Sequence, residues 1–215
     1  MPFFDKVSLM SSIDKMSYRK LMFMQSDKQF IGFAISDYIK LHAEIFNGVQ
    51  FAGRIRTNTA WKGGYFVHPA RIKDELTDVL RRFREWAIKP QNDHTLDIDT
   101  LCENYSYLNS IHPFSDGNGR TQREFLRRVL CMCGYTIDLS DTYYRDMAIA
   151  SNAAMYGNKT LLKEIFLRHI KDAKNTVSAG LFYRHLTHLA ILSSDDIDLA
   201  IQHEQDTRLF QPKGG

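Results

Sequence analysis

One short run, from Ile111 to Arg123 (Ile-His-Pro-Phe-Ser-Asp-Gly-Asn-Gly-Arg-Thr-Gln-Arg), concentrates the residues most able to do chemistry. His112 is a base-capable imidazole. Asp116 offers a carboxylate. Gly117 and Gly119 permit positive φ and a close backbone approach to a ligand. A helix starting just beyond them would aim its unpaired amide N–H groups at an anion. Arg120 and Arg123 lie three residues apart, so both guanidinium groups can lean over one anion, most often a phosphate. A carboxylate beside a phosphate cradle makes sense if it holds Mg²⁺, which takes one or two carboxylates plus phosphate oxygens. The chemistry implied is a phosphate-bearing reactant held next to a base.

The flanking residues must position this run. Leu101, Tyr105, Leu108 and Ile111 precede it at helical spacing, and Phe125, Leu126, Val129 and Leu130 follow it. With Pro113 and two glycines between, it reads as a loop feeding a helix start. Singly, its parts have plainer readings: a histidine capping a helix end, a turn, a solvated arginine face. Gly-Asn-Gly is no dinucleotide fingerprint, because Gln122 stands in place of the third glycine and no strand precedes it. His112 and Asp116 are not completed to a zinc set. Their conjunction at fixed spacing outweighs these readings. It resembles the Fic family, whose signature is His-Pro-Phe-x-Asp/Glu-Gly-Asn-Gly-Arg-x-x-Arg, and every defined position is met from His112 to Arg123.

That resemblance implies an all-α Fic fold, a bundle of about six to eight helices with one β-hairpin flap over the active site. It also implies an enzyme moving a nucleotide monophosphate, usually AMP from Mg-ATP, to a Ser, Thr or Tyr hydroxyl of a protein target. His112, Asn118 and Arg120 would be catalytic, with His112 deprotonating the hydroxyl. Asp116 would hold Mg²⁺. Phe114, Gly117, Asn118, Gly119, Arg120 and Arg123 would bind the nucleotide, with Asn118 on the α-phosphate, Arg120 on the β and Arg123 on the γ. Tyr144 and Asn152 (or Ser151) would line the adenine pocket. In the family the flap edge pairs with the target's backbone by strand addition. Here that target-docking flap is Thr57–His68, with Trp61, Lys62, Gly63, Gly64, Tyr65 and Phe66 as its candidate residues and no contact assigned to each. Its Lys-Gly-Gly turn between β-prone runs is itself a hairpin signal.

With 215 residues and 44% hydrophobic content, the chain can bury a full core. Net charge is +3, which makes no electrostatic case for nucleic acid or a membrane surface. No segment is long and apolar enough to span a bilayer. Cys102, Cys131 and Cys133 have neither zinc nor redox spacing and read as reduced, partly buried thiols. The chain is expected to work in the cytoplasm, or as a toxin or effector delivered into a host cell. Arg81-Arg82-Phe83-Arg84 and Arg127-Arg128 read as solvated helix faces.

Residues 1–28 are expected to form an N-terminal lead-in, 29–192 the Fic domain, and 193–215 a C-terminal helix and disordered tail. Helices are expected over Phe30–Phe46, with His42 on the apolar stripe, over Pro69–Ile88, over 97–111 and over Thr121–Cys133 with Gly134 as C-cap. Tyr135–Leu139 reads as an extended link. A helix follows, capped by Ser140 or Asp141 and containing Tyr143 and Tyr144, and then further helices from Leu161 onward. Phe51-Ala52-Gly53-Arg54-Ile55-Arg56 resembles the aromatic-Ala-Gly-x-x-Arg link that leads into the family's flap, with a packing role.

Many family members are restrained by a helix bearing Ser/Thr-x-x-x-Glu-Gly/Asn. Thr160–Glu164 matches only in part, since Ile165 follows, and the segment has a core-helix pattern. Arg123 therefore has no evident restraint in this sequence, which leaves three alternatives: a separate small antitoxin that supplies an inhibitory Glu, a protein that is unrestrained or regulated otherwise, or a sequence that is a fragment of a longer chain. Two alternatives stand beside AMP transfer. One is transfer of UMP, GMP or phosphate by the same site, although Gly119 argues against the kinase-like variant that carries Lys there. The other is a binding module without turnover.

Overall fold

The computed structural model describes residues 12–24, 32–61, 66–88, 96–139 and 144–172. Residues 29–175 form one compact unit, and helix α1 (Ser12–Met24) belongs to another. Among the described residues there are seven α-helices and one two-stranded sheet. None of these helices is long and apolar enough to cross a membrane.

Helix α2 runs Ile35–Ile45 and begins later than the Phe30 start expected. Gly32 has φ +107, and the Asp37 carboxylate accepts the Ala34 N–H at 3.0 Å, so the chain is capped at Ala34. Pro69 opens a 3-10 turn, Pro69–Arg71, that runs into α3, Ile72–Ile88. This follows the preference of proline for a first helical position, where no N–H is needed. Ile72, Leu76, Val79, Leu80, Phe83 and Trp86 face the core, while Arg81 and Arg82 are more than half exposed and pair with Asp78 and Glu85. The solvated-face reading holds for that pair.

Helices α4 (Ile98–Ile111) and α5 (Asn118–Met132) are the centre of the unit. Between them they touch every other helix in it: α2, α3, α6 (Tyr144–Met155) and α7 (Thr160–His169). Asp97 Oδ1 caps α4 at Thr100 N, 3.1 Å, and Trp86 Nε1 donates to the Asp97 carbonyl at 2.9 Å, tying the end of α3 to the start of α4. Because α5 is covered on nearly all sides, its polar residues are buried too, which corrects the reading of Arg127-Arg128 as solvated. Both are buried, at 7% and 1% exposure. Glu124, also buried, accepts from Arg127 Nε (2.8 Å) and one terminal nitrogen (2.7 Å), and from Arg128 Nε (2.8 Å).

The expected extended link is strand β1, Tyr135–Ile137, paired antiparallel with β2, Ile170–Asp172. Thr160–Glu164 opens α7, with Leu162 buried and Lys163 paired to Asp99, which fits its core-helix pattern. The caps proposed at Ser140 or Asp141, Tyr143, the side chain of Tyr144, the loop 89–95 and everything from 173 onward lie outside the described residues.

Candidate active site

The motif loop joins the C-terminal end of α4 to the N-terminus of α5. His112 is the C-cap of α4 and has a left-handed backbone, φ 48 and ψ 60. Among the described residues it is the one non-glycine with positive φ, a conformation costing about 1–2 kcal/mol for an L-residue. It turns the chain sharply, so that the helix before and the helix after share one loop. Gly117 is the N-cap of α5 with φ 78. A Cβ there would fall 2.2 Å from the ring of Phe46, so both backbone and space require glycine. Gly117 brings no side-chain cap to the first turn of α5, which leaves that end suited to an anion.

The other motif residues divide between facing the loop surface and holding it from behind. Asp116 is 58% exposed at its side chain and lies 3.4 Å from the Arg120 guanidinium. Its Oδ1 also accepts the Gly117 N–H. Arg120 stacks over the Phe46 ring at 4.7 Å. Arg123 lies along the start of α5, where a Cβ on Gly119 would meet its guanidinium at 3.1 Å; the bare glycine makes room for it.

Two expected ligand contacts face inward. Phe114 is fully buried and stacks on His42 at 3.7 Å and on Tyr38 at 5.8 Å. Its ring anchors the loop in the core. Asn118 is also buried. Its Oδ1 accepts from Phe114 N at 2.9 Å and its Nδ2 donates to Phe114 O at 2.7 Å. Its side chain closes the loop on itself.

The flap legs are sewn to this loop. Ile55 bridges Phe114, Arg56 N donates to Pro113 O at 2.9 Å, Val67 N to Ser110 O at 3.0 Å, and Phe66 N to Ala60 O at 3.2 Å across the legs. Trp61 is 68% exposed. Lys62, Gly63, Gly64 and Tyr65 lie outside the described residues. Phe66, one of the candidate flap residues, stacks on the His112 ring, centroids 3.8 Å apart and planes 7° from parallel. A flat ring over a flat ring fixes the imidazole plane.

Two residues that support the site were read from the sequence as packing only. His42 accepts the Gly53 N–H at Nδ1, 2.9 Å, so its proton sits on Nε2, which donates to the Asp116 carbonyl at 3.1 Å. Burial is the first cause that pulls its pKa down to about 4. The Arg56 guanidinium is buried and donates to the carbonyls of His112 (Nε, 2.7 Å), Asn58 (2.7 Å), Ile111 (3.2 Å) and Val67. Both residues lay in the helix-and-link stretch singled out before the flap, but nothing local shows that their partners are motif carbonyls. Asn152 is half-buried on α6, and Ser151 Oγ donates to Met147 O at 2.7 Å. Among the described residues no cluster of His, Cys, Asp and Glu could hold a metal by itself.

Comparison with known proteins agrees with this architecture. Residues 32–130 match the Fic/DOC family. The protein adenylyltransferase VbhT of Bartonella schoenbuchensis is 29% identical over 162 residues, covering 71% of this chain and 33% of that protein. The probable protein adenylyltransferase Fic of Salmonella typhimurium is 24% identical, covering 63% of this chain and 69% of its own. This chain thus spans about a third of the length of VbhT. Among solved structures, BepC, a VirB-translocated effector of Bartonella tribocorum with bound AMPPNP, superposes with a TM-score of 0.63 at 19% identity, covering 79% of this chain and 87% of that one. The N-terminal Fic domain of a Bartonella quintana effector with bound ADP gives 0.65 at 21%, covering 80% and 86%. At these identities the likeness is one of fold.

Proposed function

Since this chain belongs to the Fic/DOC family, we propose that it is a protein adenylyltransferase, moving AMP from ATP to a hydroxyl of a target protein. The single observation that carries this reading is the motif loop. It sets His112 at the end of one helix and a helix start without a side-chain cap, flanked by Asp116, Arg120 and Arg123, at the beginning of the next.

In the reaction, the target hydroxyl oxygen attacks the α-phosphorus of ATP. The bond to the β-phosphate bridging oxygen breaks, pyrophosphate leaves, and the hydroxyl proton passes to His112. His112 is the general base, and the Phe66 stack holds its ring plane. Arg120 and Arg123 neutralise the charge that gathers on the leaving phosphates, the kind of electrostatic stabilisation on which phosphoryl chemistry depends. The first-turn amides of α5 cradle the phosphate chain. A lone exposed carboxylate beside that cradle fits Mg²⁺, which keeps several waters and phosphate oxygens in its shell. Asp116 would hold the ion, which when bound offsets phosphate charge. Asn118 and Phe114 keep the loop in shape. Target docking on the flap, an antitoxin supplying a glutamate to Arg123, and delivery as an effector remain part of the same proposal. The effector role draws on the VirB-translocated neighbours.

The test is incubation of a lysate with Mg²⁺ and α-labelled or γ-labelled ATP, with wild type and His112→Ala side by side. The expected result is protein label from α-labelled ATP only, lost in His112→Ala while ATP binding stays. Transfer of near-wild-type extent by His112→Ala would sink the mechanism, and label from γ-labelled ATP would make the protein a kinase.

A further inference from the structure

We infer that Arg56 is a positioning residue that makes the flap and the base one mechanical unit, so that the flap cannot shift without moving His112. This deepens the reading above and rests on it for its kinetic arm. The observation is the set of carbonyls that a single buried guanidinium gathers. Two, Ile111 and His112, are the last of α4. The other two, Asn58 and Val67, belong one to each leg of the flap. The backbone N–H of Arg56 adds a third bond to the motif segment, on Pro113 O.

Several features make this more than packing. First, none of the four acceptors is a carboxylate. A buried cation is ordinarily compensated by an anion; here the compensation comes from the negative C-terminal end of α4 and from flap carbonyls. Second, the Nε bond falls on the carbonyl of His112 itself, the residue held in the left-handed conformation. A strained backbone persists only where its surroundings over-determine it. Third, the other side of the same unit is the Phe66–His112 stack. Phe66 directly precedes Val67, whose carbonyl Arg56 holds. The imidazole is therefore fixed through its backbone by Arg56 and through its ring by the flap, and Arg56 joins the two supports. Only a planar fork with five donors spans four carbonyls in this way; an ammonium has three donors on one point.

The consequence is that a target engaging the flap acts on the orientation of the base. Loss of the fork should therefore lower the rate of transfer while leaving the nucleotide cradle, built from α5, in place. Arg56→Lys keeps the charge and loses the fork. The expected result is a fall in kcat of about tenfold to 100-fold, the range a small misplacement of a reacting group produces, with affinity for Mg-ATP within about twofold of wild type. A second measurement does not use activity. In wild type the His112 ring protons, identified by their absence from the His112→Ala spectrum, should resonate upfield because of the Phe66 ring. In folded Arg56→Lys that shift should be lost. Unchanged kcat with an unchanged ring shift would overturn the inference. So would an equal loss of nucleotide affinity and rate, which is what general loosening of the fold would give. If wild type transfers nothing but Arg56→Lys still releases the His112 shift, the coupling stands and the adenylyl-transfer reading falls. Should Arg56→Lys fail to fold, Arg56→Gln, which keeps a planar donor group but not the four-carbonyl fork, takes its place with the same two readouts, and an unchanged His112 ring shift with unchanged kcat there would overturn the inference.

Discussion

Helix α5 carries two arginine pairs, and its two ends use them in opposite ways. Arg127 and Arg128, near the C-terminal end, are turned onto Glu124, a carboxylate one turn away and as buried as they are. Arg120, at the N-terminal end, meets an exposed carboxylate at 3.4 Å and an aromatic face, and Arg123 lies against Gly119 in the first turn. The residue type is the same and so is the helix. The difference is in the acid each end meets: a buried carboxylate within the helix bonds both Arg127 and Arg128, whereas the carboxylate beside Arg120 is exposed. The lesson is that the same residue type on one helix is locked into the core where its acid is buried and stays near solvent-exposed charge where its acid is exposed.

The comparison breaks hardest at Glu124. Glu124→Ala removes the buried acid that Arg127 and Arg128 share, a loss of up to about 3–5 kcal/mol. The urea midpoint should fall steeply, and a midpoint close to wild type would mean that the C-terminal pair is not held as a buried ion cluster. The reciprocal change is Arg123→Ala. It should cost transfer about 10²–10³-fold, the scale of one lost charge-stabilising donor, and leave the urea midpoint near wild type. An Arg123→Ala protein that melts early but transfers normally would erase the distinction between the two ends.

Sequence made the motif legible because the motif is local. A histidine, a carboxylate, two glycines and two arginines at fixed spacing define a loop and a helix start without reference to the rest of the chain. The main helices were legible for the same reason, since apolar residues at helical spacing such as Ile72, Leu76, Val79 and Phe83 mark a buried face. What was hidden depends on contacts distant in sequence. Arg56 bonds His112, and His42 bonds Asp116, across most of the helical core. Tyr135–Ile137 became a strand only because Ile170–Asp172 lies beside it. The motif itself also hid which way its members face. Phe114 and Asn118 sit among exposed motif residues yet turn inward, because a tight loop needs its own core. Arg127-Arg128 looked solvated because charge alone carries no information about coverage, and Glu124 was the overlooked signal.

The smallest effect, and the most graded, sharpens the contrast from the Arg120 end. His42 is buried, bonded to Gly53 N and Asp116 O, and faces the charges of Arg120 and Asp116. Its pKa lies at about 4 in the fold, lowered mainly by burial and also by Arg120, against about 6.5 in the unfolded chain. As pH falls, the unfolded chain therefore takes up this proton first, and stability is drawn down between pH 6.5 and 4. Above 6.5 the contribution is complete. The loss is about 1 kcal/mol at pH 5.5 and on the order of 3 kcal/mol by pH 4. His42→Asn keeps an acceptor for Gly53 N and has no proton to gain. Its urea midpoint at pH 7 should lie below wild type, but the fall from pH 6.5 to 4 should be shallower by that amount. An identical acid slope in the two proteins would mean that His42 is not held neutral beside Arg120, and that acid loosens the fold elsewhere.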